Sequence, residues 1–118
     1  MNDDVIDLNE FLDRVQGDKE LLVELFDIFI QDFQDKRNVL KEAVVKKDFE
    51  QIKSVAHSLK GASGNISAKP LRATFLQLEE MIKTNQWKDA EQILTNMDRQ
   101  FSDLQKCINE IKTQFKNE

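Results

Sequence analysis

The chain has 118 residues, of which 33% are charged, with a net charge of −5, one proline, three glycines and a single cysteine. That composition suits one compact helical domain and excludes a disordered chain, an internal disulfide and structural zinc. The acidic balance argues against non-specific nucleic-acid binding, no run of ~18 apolar residues spans a bilayer, and the acidic start Met1-Asn2-Asp3-Asp4 is unlike a signal peptide, so the cytoplasm is the expected compartment.

Residues 1–4 read as a frayed start. Val5, Leu8, Phe11, Leu12 and Val15 recur at helical spacing and predict a short amphipathic helix over 7–16. Gly17 suits its stop, and Asp18 suits the N-cap of the next helix. That second helix is expected over 19–46. Leu22, Phe26, Phe29, Phe33, Leu40 and Ala43 form its main stripe, widened by Leu25, Ile28, Val39 and Val44. Lys36 interrupts the stripe, and its apolar stem can lie along the core edge with the charge outside.

Asp48 caps a third helix that ends near Asn65 or Ile66. In the connection, Ser67 suits an N-cap and Pro70 suits a first helical turn. The same proline biases Lys69 away from helical angles, so that boundary stays open. A fourth helix is expected over 71–83, with Leu71, Phe75, Leu78 and Ile82 on one line. After Thr84-Asn85-Gln86, the residues Trp87, Ala90, Leu94, Met97, Phe101, Leu104, Ile108, Ile111 and Phe115 alternate spacings of three and four. That is the pattern of helices packed at a shallow angle. Cys107 flanks this stripe as a partly buried thiol. Lys47-Asp48-Phe49 and Asn85-Gln86-Trp87 echo one another, each with an aromatic opening a helix. The expected fold is all-α: an antiparallel up-down-up-down four-helix bundle over 19–116 with a short extra N-terminal helix, one domain across 1–118.

The third helix carries the chemistry. Its apolar residues Ile52, Val55, Ala56, Leu59, Ala62 and Ile66 fall within a sector of ~120°, and His57 lies about 155° from its centre. The only histidine of the chain therefore faces water, with Lys53, Lys60, Gly61 and Gly64 within about 60° of it. A helix-interior glycine costs ~0.8–1 kcal/mol relative to alanine. Gly61 and Gly64 remove side chains at i+4 and i+7 from the imidazole, the positions that would crowd it. An open imidazole is a nucleophile, and flanking ammonium groups suit a product bearing phosphate charge. The plainer alternatives are a solvated histidine, a Gly61 that lets a helix pack closely and a Gly64 that marks the helix end.

His57-Ser58-Leu59-Lys60-Gly61-Ala62-Ser63-Gly64-Asn65-Ile66 resembles the signature of histidine-containing phosphotransfer (HPt) domains: H-x-L-K-G, small residues, an apolar residue, then Gly-Ala. Asp48 and the Leu78-Glu79 pair match flanking features of that family, and the resemblance runs from about Leu21 to Leu104. The chain departs from the pattern at Ser67, where glycine usually precedes the position of Ala68.

The resemblance implies a phosphorelay intermediate in two-component signalling. His57 would take a phosphoryl group from the phospho-aspartate of a response-regulator receiver domain and pass it to another. Lys60 would neutralise the phosphoryl oxygens, Gly61 would keep the ring accessible and Gly64 would give the partner's loop room. Lys53 joins them from the face geometry alone. The i−4 and i−3 neighbours of His57, Lys53 and Ser54, supply no acid or base, which suits a passive phosphocarrier rather than a kinase. The chain then needs no cofactor or metal of its own, magnesium being expected on the receiver. The partners implied are receivers of a hybrid histidine kinase and of a downstream regulator. Phe11, Leu12 and Leu76 are candidate docking residues, with bundle capping as the alternative for Phe11 and Leu12. Met1 and the single-domain length lead us to expect a free-standing protein, and a monomer is the simpler expectation. The alternative function is a helical-bundle adaptor that docks receivers without transfer.

Overall fold

The computed structural model describes residues 2–118, with side chains from residue 4 onward. Among these residues are six helices: α1 Asn2–Val5, α2 Leu8–Arg14, α3 Lys19–Lys46, α4 Phe49–Asn65, α5 Lys69–Thr84 and α6 Ala90–Lys116. Helices α3 to α6 form the antiparallel four-helix bundle, in ring order α3-α4-α5-α6 with α6 closing against α3. It is a rod of 48 × 21 × 21 Å, as long as a 28-residue α3 at ~1.5 Å per residue requires.

The main stripe of α3 lies in the core, with Leu22, Phe26, Phe29, Phe33 and Leu40 all buried. Phe33 stacks on Phe101 of α6 at 4.0 Å between ring centroids and tilts against Phe75 of α5 at 6.1 Å. One aromatic cluster thus ties three helices together. Replacing a core phenylalanine by alanine costs ~3–5 kcal/mol. The widening residues divide. Val44 is buried, Leu25 half-buried, and Ile28 and Val39 are exposed, because the partner helices cover only the central sector of α3.

Several boundaries differ from expectation. The segment read as frayed holds α1, which packs against α5 and α6, while Met1 lies outside the described residues. Ile6, absent from the expected stripe, is fully buried just after α1. Helix α5 starts at Lys69, so the bias set by Pro70 is overridden and the proline sits in the first turn, where no N–H is needed. Helix α6 starts at Ala90 rather than Trp87, and its buried line takes Ile93 in place of Leu94. Trp87 stays in the link because its ring is engaged. It stacks on Phe49 at 5.1 Å, lies under Lys47 Nζ at 6.0 Å, and its Nε1 donates to Asn85 Oδ1 at 3.0 Å. The two aromatics that echo in sequence are partners in space.

Ser67 is not an N-cap. It terminates α4 with φ +60°, a left-handed conformation that costs a non-glycine residue ~1–2 kcal/mol. Its N–H donates to Gly64 O at 3.1 Å and the Ala68 N–H to Ser63 O at 2.9 Å, the paired closure of a Schellman turn. The hydroxyl explains why serine is tolerated where glycine fits better. Ser67 Oγ donates to Glu10 Oε1 at 2.7 Å and accepts from Arg14 Nη1 at 3.3 Å. Arg14 Nη1 also donates to the last carbonyls of α4, Gly64 O at 2.8 Å and Asn65 O at 2.6 Å. Lys69 Nζ bridges Asp7 and Glu10, at 3.2 Å each. This network fastens α2 to the end of α4.

The network titrates at both ends of the pH scale. The Glu10 N–H and Lys69 hold Asp7 below its ordinary 3.8, while Ser67 and Lys69 hold Glu10 below its ordinary 4.5. Glu10 and Asp7 hold Lys69 above its ordinary 10.5. A depressed carboxylate stabilises above its unfolded value and loses that contribution as pH falls through its folded value. A raised lysine stabilises below its unfolded value and loses the contribution as pH rises through its folded value. The attachment of α2 is therefore complete between those limits. Carboxyl-carbon NMR should show Glu10 titrating below 4.5 in the wild type and moving back up in Ser67→Ala. In thermal melts, Ser67→Gly should be more stable than Ser67→Ala by about 1 kcal/mol, since both lose the hydroxyl and only alanine keeps the strain.

Candidate functional site

Helix α4 is fixed at both ends. Asp48 caps its start by accepting from the Gln51 N–H at 3.2 Å, and the Ser67 turn closes its end. Ile52, Val55, Ala56 and Leu59 are buried against the bundle. That burial sets the rotation of the helix about its axis and leaves the opposite face outward. His57 stands exposed on that face, and among the described residues nothing donates to, accepts from or ion-pairs with its ring.

The predicted neighbours fare differently. A Cβ on Gly61 would meet nothing within 4 Å, so the backbone one turn past His57 is open to solvent. Gly64 is not open in the same way. A Cβ there would sit 3.3 Å from Cδ of Arg72, because α5 lays the arginine across it. The room expected over Gly64 for a partner's loop is occupied by a flexible side chain. Lys53 is exposed one turn before His57. Lys60 is not a solvated cation. Its Nζ lies 2.8 Å from Glu79 Oε1 of α5, with the two side chains only 20% and 24% exposed. The contact is close in distance yet off the hydrogen-bonding direction, so it holds mainly by charge.

Two features of the α3 side were not foreseen. Lys36 Nζ donates to Ser58 Oγ at 2.7 Å and pairs with Asp32 at 2.9 Å, so the lysine that breaks the α3 stripe is anchored beside His57. Ile28 is 63% exposed and borders, with Leu25, Asp32, Ala62 and Asn65, a shallow groove between α3 and α4. Leu21, one turn before Leu25, is also exposed. The 21-25-28 spacing marks a second apolar edge of α3, masked in sequence by its overlap with the core stripe. Of the predicted docking residues, Leu76 is exposed on α5 and Leu12 half-buried on α2. Phe11 is excluded: it is 1% exposed and packs edge-on against Phe26 at 5.2 Å, as part of the core.

Among the described residues, no group of three or more histidine, cysteine or carboxylate side chains is placed to hold a metal ion. None of the helices is long and apolar enough to cross a membrane.

The face presents an accessible imidazole between lysines, on a surface rather than in a cleft. Comparisons with known proteins identify the family and the fold. The family model described as "Hpt domain" matches residues 24–114. No curated protein matches the chain. The crystal structure of histidine-containing phosphotransfer protein B (HptB) from Pseudomonas aeruginosa PAO1 superposes with a TM-score of 0.81 at 22% identity, covering 97% of this chain and 96% of that one. At that identity the likeness is one of fold.

The open space over Gly61 makes its cost measurable. Gly61→Ala should stabilise the protein by ~1 kcal/mol in chemical denaturation, because alanine restores helix propensity without a clash. Gly64→Ala should gain less, since Arg72 must give way.

Proposed function

The chain belongs to the Hpt domain family, and on that premise we propose that His57 is the residue that carries the phosphoryl group of a phosphorelay. The observation that supports this reading is the exposed, unpartnered imidazole beside bare helix backbone at Gly61. In the forward step the lone pair of a ring nitrogen forms an N–P bond. The acyl P–O bond of the receiver's phospho-aspartate breaks in line with it, and its electron pair stays on the carboxylate. The second ring nitrogen keeps its proton. The reverse step hands the group to another receiver.

The chain supplies a nucleophile and flanking charge, and the receiver supplies the aspartate and magnesium. Lys60 and Lys53 lie one helical turn from His57, on the correct face to meet phosphoryl oxygens. The exposed Leu21 and Ile28, with half-buried Leu25 between them, offer the receiver an apolar docking edge on α3, and Leu76 offers one on α5, the two helices that flank α4. Phosphotransfer between surfaces requires a large partner to come within bonding distance. That accounts for an apolar rim where a small-molecule enzyme would have a cleft.

Incubation with a phosphorylated receiver domain should label the wild-type chain with acid-labile, base-stable phosphate, and His57→Gln should abolish the label. Full labelling of His57→Gln would refute the assignment, while a titratable complex with no label would favour the adaptor. Ile28→Glu should weaken receiver binding at least tenfold by calorimetry while leaving the melting temperature within a few degrees, because the residue is already in water.

A further inference from the structure

Lys60 cannot serve two anions at once. In the resting protein it is engaged by Glu79, which reaches it from α5 at 2.8 Å. We propose that Glu79 is a tuning residue that competes with the phosphoryl group for Lys60, so that the phosphorylated histidine is held less tightly than the lysine alone would hold it. This rests on the assignment of His57 as phosphoryl carrier.

The geometry supports a competitor rather than a simple structural tie. Lys60 is at i+3 from His57, so its side chain is rooted within ~6 Å of the histidine's, and the length of the stem allows Nζ to serve either anion. The pair with Glu79 is a charge contact off the hydrogen-bonding direction, so leaving it sacrifices no well-aligned bond. Both partners are largely shielded from water, which keeps their interaction from being screened away. The arrangement is mirrored on the α3 side, where Asp32 engages Lys36 at 2.9 Å next to Ser58.

The consequence follows from charge alone. Phosphorylation adds between one and two negative charges to the face. If Lys60 turns to the phosphoryl oxygens, Glu79 is left as an unpaired carboxylate beside a dianion. If Lys60 stays, the phosphoryl group lacks its cation. Either way the carboxylate raises the free energy of the phosphorylated state relative to a neutral residue at position 79. A relay intermediate benefits, because a group bound too firmly is not passed on.

The test needs no cognate receiver. Phosphoramidate serves as phosphoryl donor to His57: its P–N bond breaks, an N–P bond forms to the ring, and ammonia leaves. The phosphoryl resonance is then titrated by 31P NMR. Glu79→Gln should lower the proton affinity of the bound phosphoryl group by roughly three- to tenfold relative to wild type, since removing the carboxylate frees Lys60 and lifts a repulsion. Glu79→Asp keeps the charge and should leave that affinity within about twofold of wild type. Lys60→Gln should raise it. A Glu79→Gln protein that titrates like wild type, or Gln and Asp variants that shift together, would overturn the competition while leaving the assignment of His57 intact. A wild-type chain that takes phosphate at a residue other than His57 would instead remove the assignment and the competition with it.

Discussion

The rotation of α4 about its own axis is the constraint from which the site follows. Ile52, Val55, Ala56 and Leu59 have one low-energy place, in the hydrophobic core of the bundle. With 3.6 residues per turn, putting those four inside puts His57 outside, and no local interaction at the histidine is needed to hold it there. Ile52, Val55 and Leu59 each contribute ~1.5–3 kcal/mol, far more than a solvated imidazole could oppose. The imidazole is presented by the hydrophobic effect acting on its neighbours.

That division of labour explains what could be read from the residues. The bundle, the span of α3, the caps at Asp18 and Asp48 and the outward histidine all follow from periodicity and capping, which act within a turn or two of the chain. The errors are tertiary. Phe11 reads like any amphipathic-helix phenylalanine until Phe26 is seen against its edge. Ile28 reads as core because it adjoins a core stripe, and only the packing of the neighbouring helices shows where coverage stops. Trp87 continues the α6 pattern in sequence but is captured by Phe49. Ser67 has the composition of an N-cap and the backbone of a C-terminal turn, because Glu10 and Arg14, more than fifty residues away, reward its hydroxyl there. Lys60–Glu79 and Lys36–Ser58 likewise join residues from different helices, which no spacing rule connects.

The site is also less cationic at rest than its lysines suggest. Lys60 faces Glu79 and Lys36 faces Asp32, so much of the positive charge near His57 is already matched. In a chain of net charge −5 this avoids a bare basic patch that would attract unrelated anions. Under the proposed competition, charge becomes available when an anion displaces a carboxylate, so the face responds to what is bound on it instead of advertising in advance.

The stack of Phe49 and Trp87 lies at the start of the helix that bears the histidine, about two turns from His57. Trp87 is the only indole in the chain. Its emission is therefore an intrinsic optical reporter of how that end of the helix is seated, readable without dye or tag.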